Sequence, residues 1–222
     1  MGRTVRLGAA ARVLMVYVFL HVLGGCTNSE PRLQILYDYG QGAGLPPRPP
    51  APAPPVTRRF VDEYPRGWVP PAGVPERRWA WIVVHHSATD RGDAAAFDRE
   101  HKERGWEGVG YDFVIGNGTG SGDGEVEVTY RWHQQKTGAH CKTPNNWANE
   151  EAVGICLVGD FTRRAPTARQ MRSLEELVEF LQKRYRIPKS RIYGHRNTPG
   201  AHETECPGRY FPMARLKSAL AF

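Results

Sequence analysis

The hydrophobic pattern of the chain changes in character near Trp79. From there on, short apolar runs rich in β-branched residues alternate with amphipathic stretches, which is the pattern of strands alternating with helices. Strands are predicted at residues 80–86, 111–116, 126–132 and 153–159, and residues 187–193 lead into a short strand that ends at His195. Helices packed on a mostly buried sheet follow from this pattern, so we expect an α/β fold: a single domain with a central mixed β-sheet flanked by helices.

The helices carry recognisable start signals. Asp93 is placed to cap a helix over 94–104, and a last helix is predicted near 211–220. Thr167 and Gln170 have the spacing of a capping box and predict the start of a long helix. That helix carries one apolar stripe, formed by Met171, Leu174, Leu177, Val178 and Leu181.

The start of the chain has the pattern of an export signal. Three arginines precede an apolar run at 13–23, which is too short to span a membrane as a helix. The run ends in Leu-Gly-Gly-Cys, which resembles a bacterial lipobox and predicts a lipid on Cys26. A cleaved signal or a buried anchor with an incidental cysteine is the alternative. Thr27 follows instead of an Asp, which favours the outer membrane, with the protein lipid-anchored in the bacterial cell envelope and facing the periplasm.

Residues 27–76 have the composition of a tether. The segment 45–55 reads LPPRPPAPAPP, which favours extended polyproline II and a semi-rigid spacer. Residues 33–40 have strand-like content and could dock on the domain. The predicted organisation is therefore a lipoprotein signal peptide at 1–26, a proline-rich tether at 27–76 and a folded domain at 77–222.

Charge and cysteine content narrow the function classes. The 222-residue chain has a formal net charge of +7, which favours an anionic partner such as a cell-wall polymer or a membrane surface. No cluster of Lys and Arg is interleaved with aromatic residues, so we expect no nucleic-acid partner. Cys141 and Cys156 could pair in an oxidising compartment, or Cys156 could be a buried free thiol, and the spacing does not decide between these.

Two segments carry candidate metal chemistry. VVHHSATD places His85 at the end of an apolar run, and GHRNTPGAHETECPG contains His195 and Cys206. Two imidazoles and one thiolate form a zinc ligand set that leaves one position for water, which suits hydrolysis. Each residue taken alone is more often a packed or surface residue. His86 points to the opposite face of the strand from His85, so it is expected to pack or hydrogen-bond instead.

The residues around these candidates resemble a known family. WIVVHHSATD, GWEGVGYDFVIGNG, TGAHCKTPNNWANEEAVGICLVGDF and GHRNTPGAHETECPG occur in this order. They resemble zinc-dependent N-acetylmuramoyl-L-alanine amidases of the type shared by phage lysozyme-like amidases and peptidoglycan recognition proteins. The resemblance covers roughly Trp79 to Leu220. The sequence departs from the family pattern by PGAH inserted between His195 and Cys206.

The resemblance implies roles for particular residues. His85, His195 and Cys206 match the family's Zn²⁺ ligands. Tyr111 matches a catalytic tyrosine, and Thr204 occupies a position where a Lys or Thr assists catalysis. His140, in TGAHC, is implied to line the substrate groove, although an ordinary loop histidine is almost as good an interpretation.

The implied reaction is hydrolysis of the amide bond between N-acetylmuramic acid and L-alanine, with peptidoglycan or muropeptides as partners and the protein acting as a monomer. Two alternatives stay open: a non-catalytic peptidoglycan-binding module, and another zinc amidohydrolase or peptidase on the same scaffold. Other side chains have less defined expectations: His101 and His133 are expected at the surface, and Trp106, Trp132 and Trp147 either in the groove or in the core.

Overall fold

The structure is a computed structural model that describes residues 63–221. The predicted signal peptide with Cys26, the segment 33–40 and the proline-rich stretch 45–55 lie outside the described residues. Within the described part, no helix has the length and apolar character needed to cross a membrane.

A five-stranded mixed sheet forms the centre of the domain. Its strands are β1 (Trp81–His86), β2 (Phe113–Ile115), β3 (Val126–Val128), β4 (Ala152–Leu157) and β5 (Ile192–Gly194). Their order is β3-β2-β4-β1-β5, and β3 is the antiparallel edge strand while the other neighbours run parallel. The predicted α/β class with a central mixed sheet is confirmed.

Five α-helices surround this sheet in the described chain: α1 (Ala94–Glu103), α2 (Tyr130–His133), α3 (Trp147–Glu151), α4 (Ala168–Tyr185) and α5 (Met213–Ala219). Short 3₁₀ turns lie at Arg66–Trp68, Pro144–Asn146, Lys189–Arg191 and His195–Asn197. The predicted caps are confirmed: Asp93 accepts a hydrogen bond from the N–H of Ala96, and Thr167 and Gln170 form a complete capping box on α4.

The two faces of the sheet are covered by different helices. The predicted apolar stripe of α4 is buried in one cluster with Ile82 and Val84 of β1. Trp81 and Val83 point to the other face, where they pack with Trp147 of α3. Because side chains alternate along a strand, His85 belongs to this second face.

The strands predicted at 111–116, 126–132 and 153–159 are all shorter in the structure, and the second of them differs most. The strand predicted at 126–132 ends at Val128, and the Thr129 hydroxyl accepts a hydrogen bond from the N–H of Arg131. This cap starts α2, so Trp132 leaves the strand path and is buried in the main core. Local capping chemistry therefore overrides the apolar run that suggested a longer strand.

The folded domain begins before the predicted boundary at residue 77. Trp68 is 5% exposed and packs edge-on against Phe180 of α4, with a ring-centroid distance of 5.7 Å. Its carbonyl accepts a 2.8 Å hydrogen bond from the indole N–H of Trp132. Glu76 pairs with Arg184 and accepts a hydrogen bond from the Tyr185 hydroxyl. The last part of the predicted tether is therefore part of the core, which corrects the boundary.

Candidate metal centre and substrate groove

The sheet brings two of the candidate ligands together. β5 runs parallel to β1, with Gly194 opposite Val84, so both strands end at the same edge. His85 lies next to the end of β1, and His195 follows β5 directly. Carboxyl ends of parallel strands are where loops build sites in open α/β sheets, and this arrangement follows that rule.

The third candidate, Cys206, is held by backbone contacts to the same edge. The N–H of His86 donates to Cys206 Sγ at 3.4 Å, and the N–H of Arg196 donates to the Cys206 carbonyl at 2.7 Å. The Thr204 hydroxyl accepts a 3.1 Å hydrogen bond from the N–H of Cys206. Thr204 therefore anchors the backbone of a candidate ligand, whatever further part it plays.

The structure places the three predicted ligands in one cluster. One ligand atom from each of His85, His195 and Cys206 lies within 4.8 Å of the others, and Cys206 Sγ is 3.6 Å from His85 Nδ1. Two imidazoles and a thiol are the donor types that Zn²⁺ accepts in a catalytic site with one open position. The donor set therefore fits zinc, and it is too soft for a hard cation such as Mg²⁺.

Burial keeps the candidate ligands uncharged. It lowers the pKa of His85 well below its ordinary value, and the rings of His140 and His195 add to the effect. Burial is also the main cause of the lowered pKa of His195. Neutral imidazoles keep a lone pair for a metal. Burial raises the pKa of the Cys206 thiol to about 12, so a cation that binds here must displace its proton.

His86 faces away from this cluster, as predicted from strand alternation. Its Nδ1 accepts a 3.0 Å hydrogen bond from the N–H of Phe161 and lies 4.0 Å from a carboxylate oxygen of Asp160. The residue is 7% exposed. His86 thus holds the loop after β4 against the end of β1.

Tyr111 lies beside the candidate ligands. Its ring centroid is 5.3 Å from that of His85. Burial is the main cause that raises the pKa of Tyr111 well above its ordinary value, and a side-chain hydrogen bond with Cys156 contributes. The hydroxyl therefore stays protonated and remains a donor.

Cys141 and Cys156 are both free thiols, which answers the question of their pairing that the sequence left open.

His140 lies next to His85 of the ligand cluster and is 8% exposed. Its Nδ1 is 3.0 Å from His85 Nε2, and its Nε2 is 3.2 Å from the carbonyl oxygen of Ala152. Burial lowers the pKa of His140 to about 3. The ring is therefore neutral and in direct contact with a candidate ligand, a contact that the sequence did not predict.

A groove leads away from the cluster. Two adjoining cavities of about 180 and 440 Å³ share Trp106, Ala139 and His140 as lining residues. Trp106 is 47% exposed at this groove. The groove continues past Lys142, Asn146 and Asn149, so it has an aromatic platform, a cation and two amides for a polar, extended ligand.

Several sequence-based placements around the groove are corrected. His101 was expected at the surface but is buried, and its Nδ1 accepts a 3.2 Å hydrogen bond from the N–H of Gly110. Trp132 and Trp147 are both buried in the core and do not form the groove. Of the three tryptophans considered, Trp106 alone lies in it.

Two supporting residues were missed by the sequence analysis. Asn149 accepts hydrogen bonds from the N–H groups of His140 and Cys141 through one oxygen, at 2.8 and 2.9 Å. Asp112 is fully buried and accepts a 2.8 Å hydrogen bond from the N–H of Gly154, and burial raises its pKa to about 7. No local motif marks either role, since both depend on contacts made through the fold.

Comparison with known proteins identifies a family match over this same region. The Amidase_2 family model, described as N-acetylmuramoyl-L-alanine amidase, matches residues 75–209. All of the predicted ligands fall within that range, as do Tyr111, His140 and Thr204.

Named relatives include a recognition protein and a phage enzyme. Peptidoglycan-recognition protein LB of Drosophila melanogaster is 33% identical over 140 residues, which cover 58% of this chain and 54% of that protein. The endolysin of Escherichia phage T7 is 34% identical over 114 residues, covering 47% and 67% of the two chains. The chain thus spans about half the length of the first curated relatives it matches.

Solved structures agree with these relatives. The N-acetylmuramoyl-L-alanine amidase LysC from Clostridium intestinale superimposes with a TM-score of 0.54 at 31% identity. The match covers 64% of this chain and 85% of LysC.

Proposed function

The chain belongs to the N-acetylmuramoyl-L-alanine amidase family, and on that premise we propose that it is a zinc-dependent hydrolase of the amide bond between N-acetylmuramic acid and L-alanine in peptidoglycan. The observation that carries this proposal is the cluster of His85, His195 and Cys206 at the carboxyl edge of the sheet, beside an open groove. When bound, Zn²⁺ supplies a Lewis acid that polarises a carbonyl and lowers the pKa of water to about 7.

Around that centre the chain's own residues bind and orient the substrate. The groove past Trp106 and Lys142 offers an aromatic face, a cation and the amides of Asn146 and Asn149, which suit a glycan with a peptide branch. An exposed indole suits stacking on a sugar or a peptide plane, and Lys142 suits the carboxylates of a stem peptide. The proposed partner is therefore peptidoglycan or a muropeptide.

Tyr111 and Thr204 serve different parts of the reaction. The Tyr111 ring lies beside that of His85 and its hydroxyl stays protonated, so it can donate a hydrogen bond to the oxyanion that develops on the scissile carbonyl. Thr204 fixes the loop that carries Cys206. While the Thr204 hydroxyl accepts from the backbone, it can still donate its own hydrogen to the substrate. We propose that this donor contributes less to catalysis than the Tyr111 hydroxyl does.

The decisive experiment is the release of peptide from purified sacculi. The full chain loaded with zinc is expected to liberate peptides that begin with L-alanine, detected by mass spectrometry, and a chelator should stop the release. Cys206→Ser serves as the matched inactive control. Binding to sacculi without release of peptide would instead establish a non-catalytic recognition module. Cleavage at another bond of the stem would establish a peptidase on this scaffold.

We also propose that the protein is a lipid-anchored monomer in the bacterial cell envelope, facing the periplasm from the outer membrane. This rests on the basic start, the apolar run and the Leu-Gly-Gly-Cys ending, with Cys26 as the acylated residue. Mass spectrometry of the mature N-terminus should find a lipid on Cys26, and Cys26→Ala should move the protein from the membrane fraction to the soluble fraction. An unmodified N-terminus elsewhere would contradict the anchor, and a dimer in light scattering would contradict the monomer.

A further inference from the structure

Three buried groups form a continuous chain of contacts behind the candidate metal centre. The carbonyl oxygen of Ala152 lies 3.2 Å from His140 Nε2, and His140 Nδ1 lies 3.0 Å from His85 Nε2. The other nitrogen of His85, Nδ1, is 3.6 Å from Cys206 Sγ. The two ring nitrogens of His85 therefore have different neighbours: Nδ1 faces the candidate metal site, and Nε2 contacts a second histidine.

The carbonyl at the end of this chain sets the direction of every hydrogen bond in it. A carbonyl oxygen only accepts, so His140 Nε2 carries a hydrogen and donates it to Ala152. Across residues 63–221, no carboxylate forms a hydrogen bond or ion pair with His140, and the buried ring is therefore neutral. Its Nδ1 then has a lone pair and accepts from His85 Nε2.

The tautomer of His85 follows from that direction. With the hydrogen on Nε2, the Nδ1 atom has a free lone pair, and it is Nδ1 that lies beside Cys206. The nitrogen of a histidine that binds a metal is set by the hydrogen bond that the other nitrogen makes. Without a partner at Nε2, a neutral histidine is free to adopt either tautomer.

The backbone around His140 fixes the position of its ring. A Cβ atom added at Gly154 would lie 2.4 Å from His140 Cδ2, and one added at Gly138 would lie 2.6 Å from the same atom. The N–H of His140 is held by Asn149 at 2.8 Å. Two glycines and one amide thus leave a slot that the imidazole fills, which fixes the ring relative to β1.

We propose that His140 is a positioning residue, which holds His85 in the tautomer that presents Nδ1 to the metal. The inference rests on the proposed zinc site, and it differs from a role in contacting substrate, because the partner of His140 Nδ1 is His85 itself. Loss of such an outer hydrogen bond typically weakens metal binding by about 10-fold to 100-fold.

The first test compares the zinc affinity of three variants by competition with a chelator. His140→Ala should weaken binding by about 10-fold to 100-fold. His140→Asn should recover part of this loss, because its side-chain oxygen can replace Nδ1 as the acceptor. His101→Asn is the matched control, because His101 is a buried histidine whose Nδ1 accepts its hydrogen bond from the N–H of Gly110 instead of from a candidate ligand, and its zinc affinity should equal that of the parent.

The second test observes the tautomer directly. Nitrogen-15 spectra of the histidine-labelled parent, with and without zinc, should show a hydrogen on His85 Nε2 and a coupling across the hydrogen bond to His140 Nδ1. A hydrogen on His85 Nδ1 in the metal-free protein would overturn the proposal. This readout stands even if the proposed amidase activity fails, because it involves neither substrate nor turnover.

A further pair of variants covers the case in which His140→Ala does not fold. Gly154→Ala keeps the histidine but crowds its ring, so it should weaken zinc binding, whereas Val153→Ala, on the opposite face of the same strand, should lower stability alone. Parental zinc affinity in His140→Ala, or in Gly154→Ala if His140→Ala does not fold, combined with a raised KM for muropeptides, would make His140 a substrate contact and refute the positioning role.

Discussion

Trp68→Ala tests whether the segment before residue 77 is part of the folded domain. Trp68 is 5% exposed and its ring packs against those of both Tyr64 and Phe180, with centroid distances of 6.3 and 5.7 Å. The hydrogen bond from Trp132 goes to the Trp68 backbone carbonyl, so the substitution keeps it and removes packing alone.

The expected loss follows from the buried area. A buried tryptophan removes roughly 150–250 Å² from water, and at about 25 cal/mol per Å² this corresponds to about 4–6 kcal/mol. Measured Trp→Ala substitutions in cores cost about 3–5 kcal/mol. Since a whole domain is stable by about 5–15 kcal/mol, this single change should remove a fifth or more of the total.

The assay is urea unfolding of the full chain, with Trp106→Ala as the matched control. With an m-value of about 2 kcal/mol per M, Trp68→Ala should lower the midpoint by roughly 1.5–2.5 M. Trp106 is 47% exposed, so its truncation should change stability by at most about 0.5 kcal/mol and should instead weaken muropeptide binding. A midpoint for Trp68→Ala equal to that of the parent would show that the segment is not docked and would restore the boundary at residue 77.

Further predictions concern the site and its surroundings. Tyr111→Phe should retain zinc yet lose about 10²–10³ in kcat, while Thr204→Ala should lose less; full activity in Tyr111→Phe at equal zinc content would remove Tyr111 from the mechanism. Cys206→Ser should lower the zinc affinity measured by chelator competition, because a serine hydroxyl does not ionise to replace a thiolate. The loss should exceed about 100-fold, which is the upper end of the range for removing a hydrogen bond to a metal ligand. Burial raises the pKa of Asp112 from 3.8 to about 7 in the folded domain, so the unfolded chain ionises first and the parent loses stability as the pH rises through this window. Asp112→Asn lacks that titration, and its free energy of unfolding relative to the parent should increase between pH 4 and pH 7; equal pH slopes for the two proteins would contradict the shift.

The sequence was sufficient to predict the sheet and the ligand cluster because both rest on local signals. Strand ends at His85 and His195 are visible as apolar runs, and parallel pairing brings such ends together. The capping box at Thr167 needs only four neighbouring residues, and it was predicted correctly.

Features that depend on contacts between residues far apart in the chain could not be predicted from the sequence. The burial of His101 and the contact between His85 and His140 depend on how α1 and the loop after α2 lie on the sheet. The docking of Trp68 on α4 pairs residues far apart in the chain, and the proline-rich composition nearby masked it. The hydrophobic pattern specifies which face is buried, but it does not specify which polar atoms meet there.

Because Cys206 lies near the end of the domain, the set of candidate ligands is completed late in synthesis. Cys206 comes 121 residues after His85, and its Sγ is held by the backbone N–H of His86. β1 emerges early from the ribosome, whereas the third ligand emerges only after β4, α4 and β5. A partly synthesised domain, or one clipped between β5 and Cys206, therefore has no complete set of ligands. The hydrolytic activity that we propose would thus be withheld until nearly all of the domain has been made and folded.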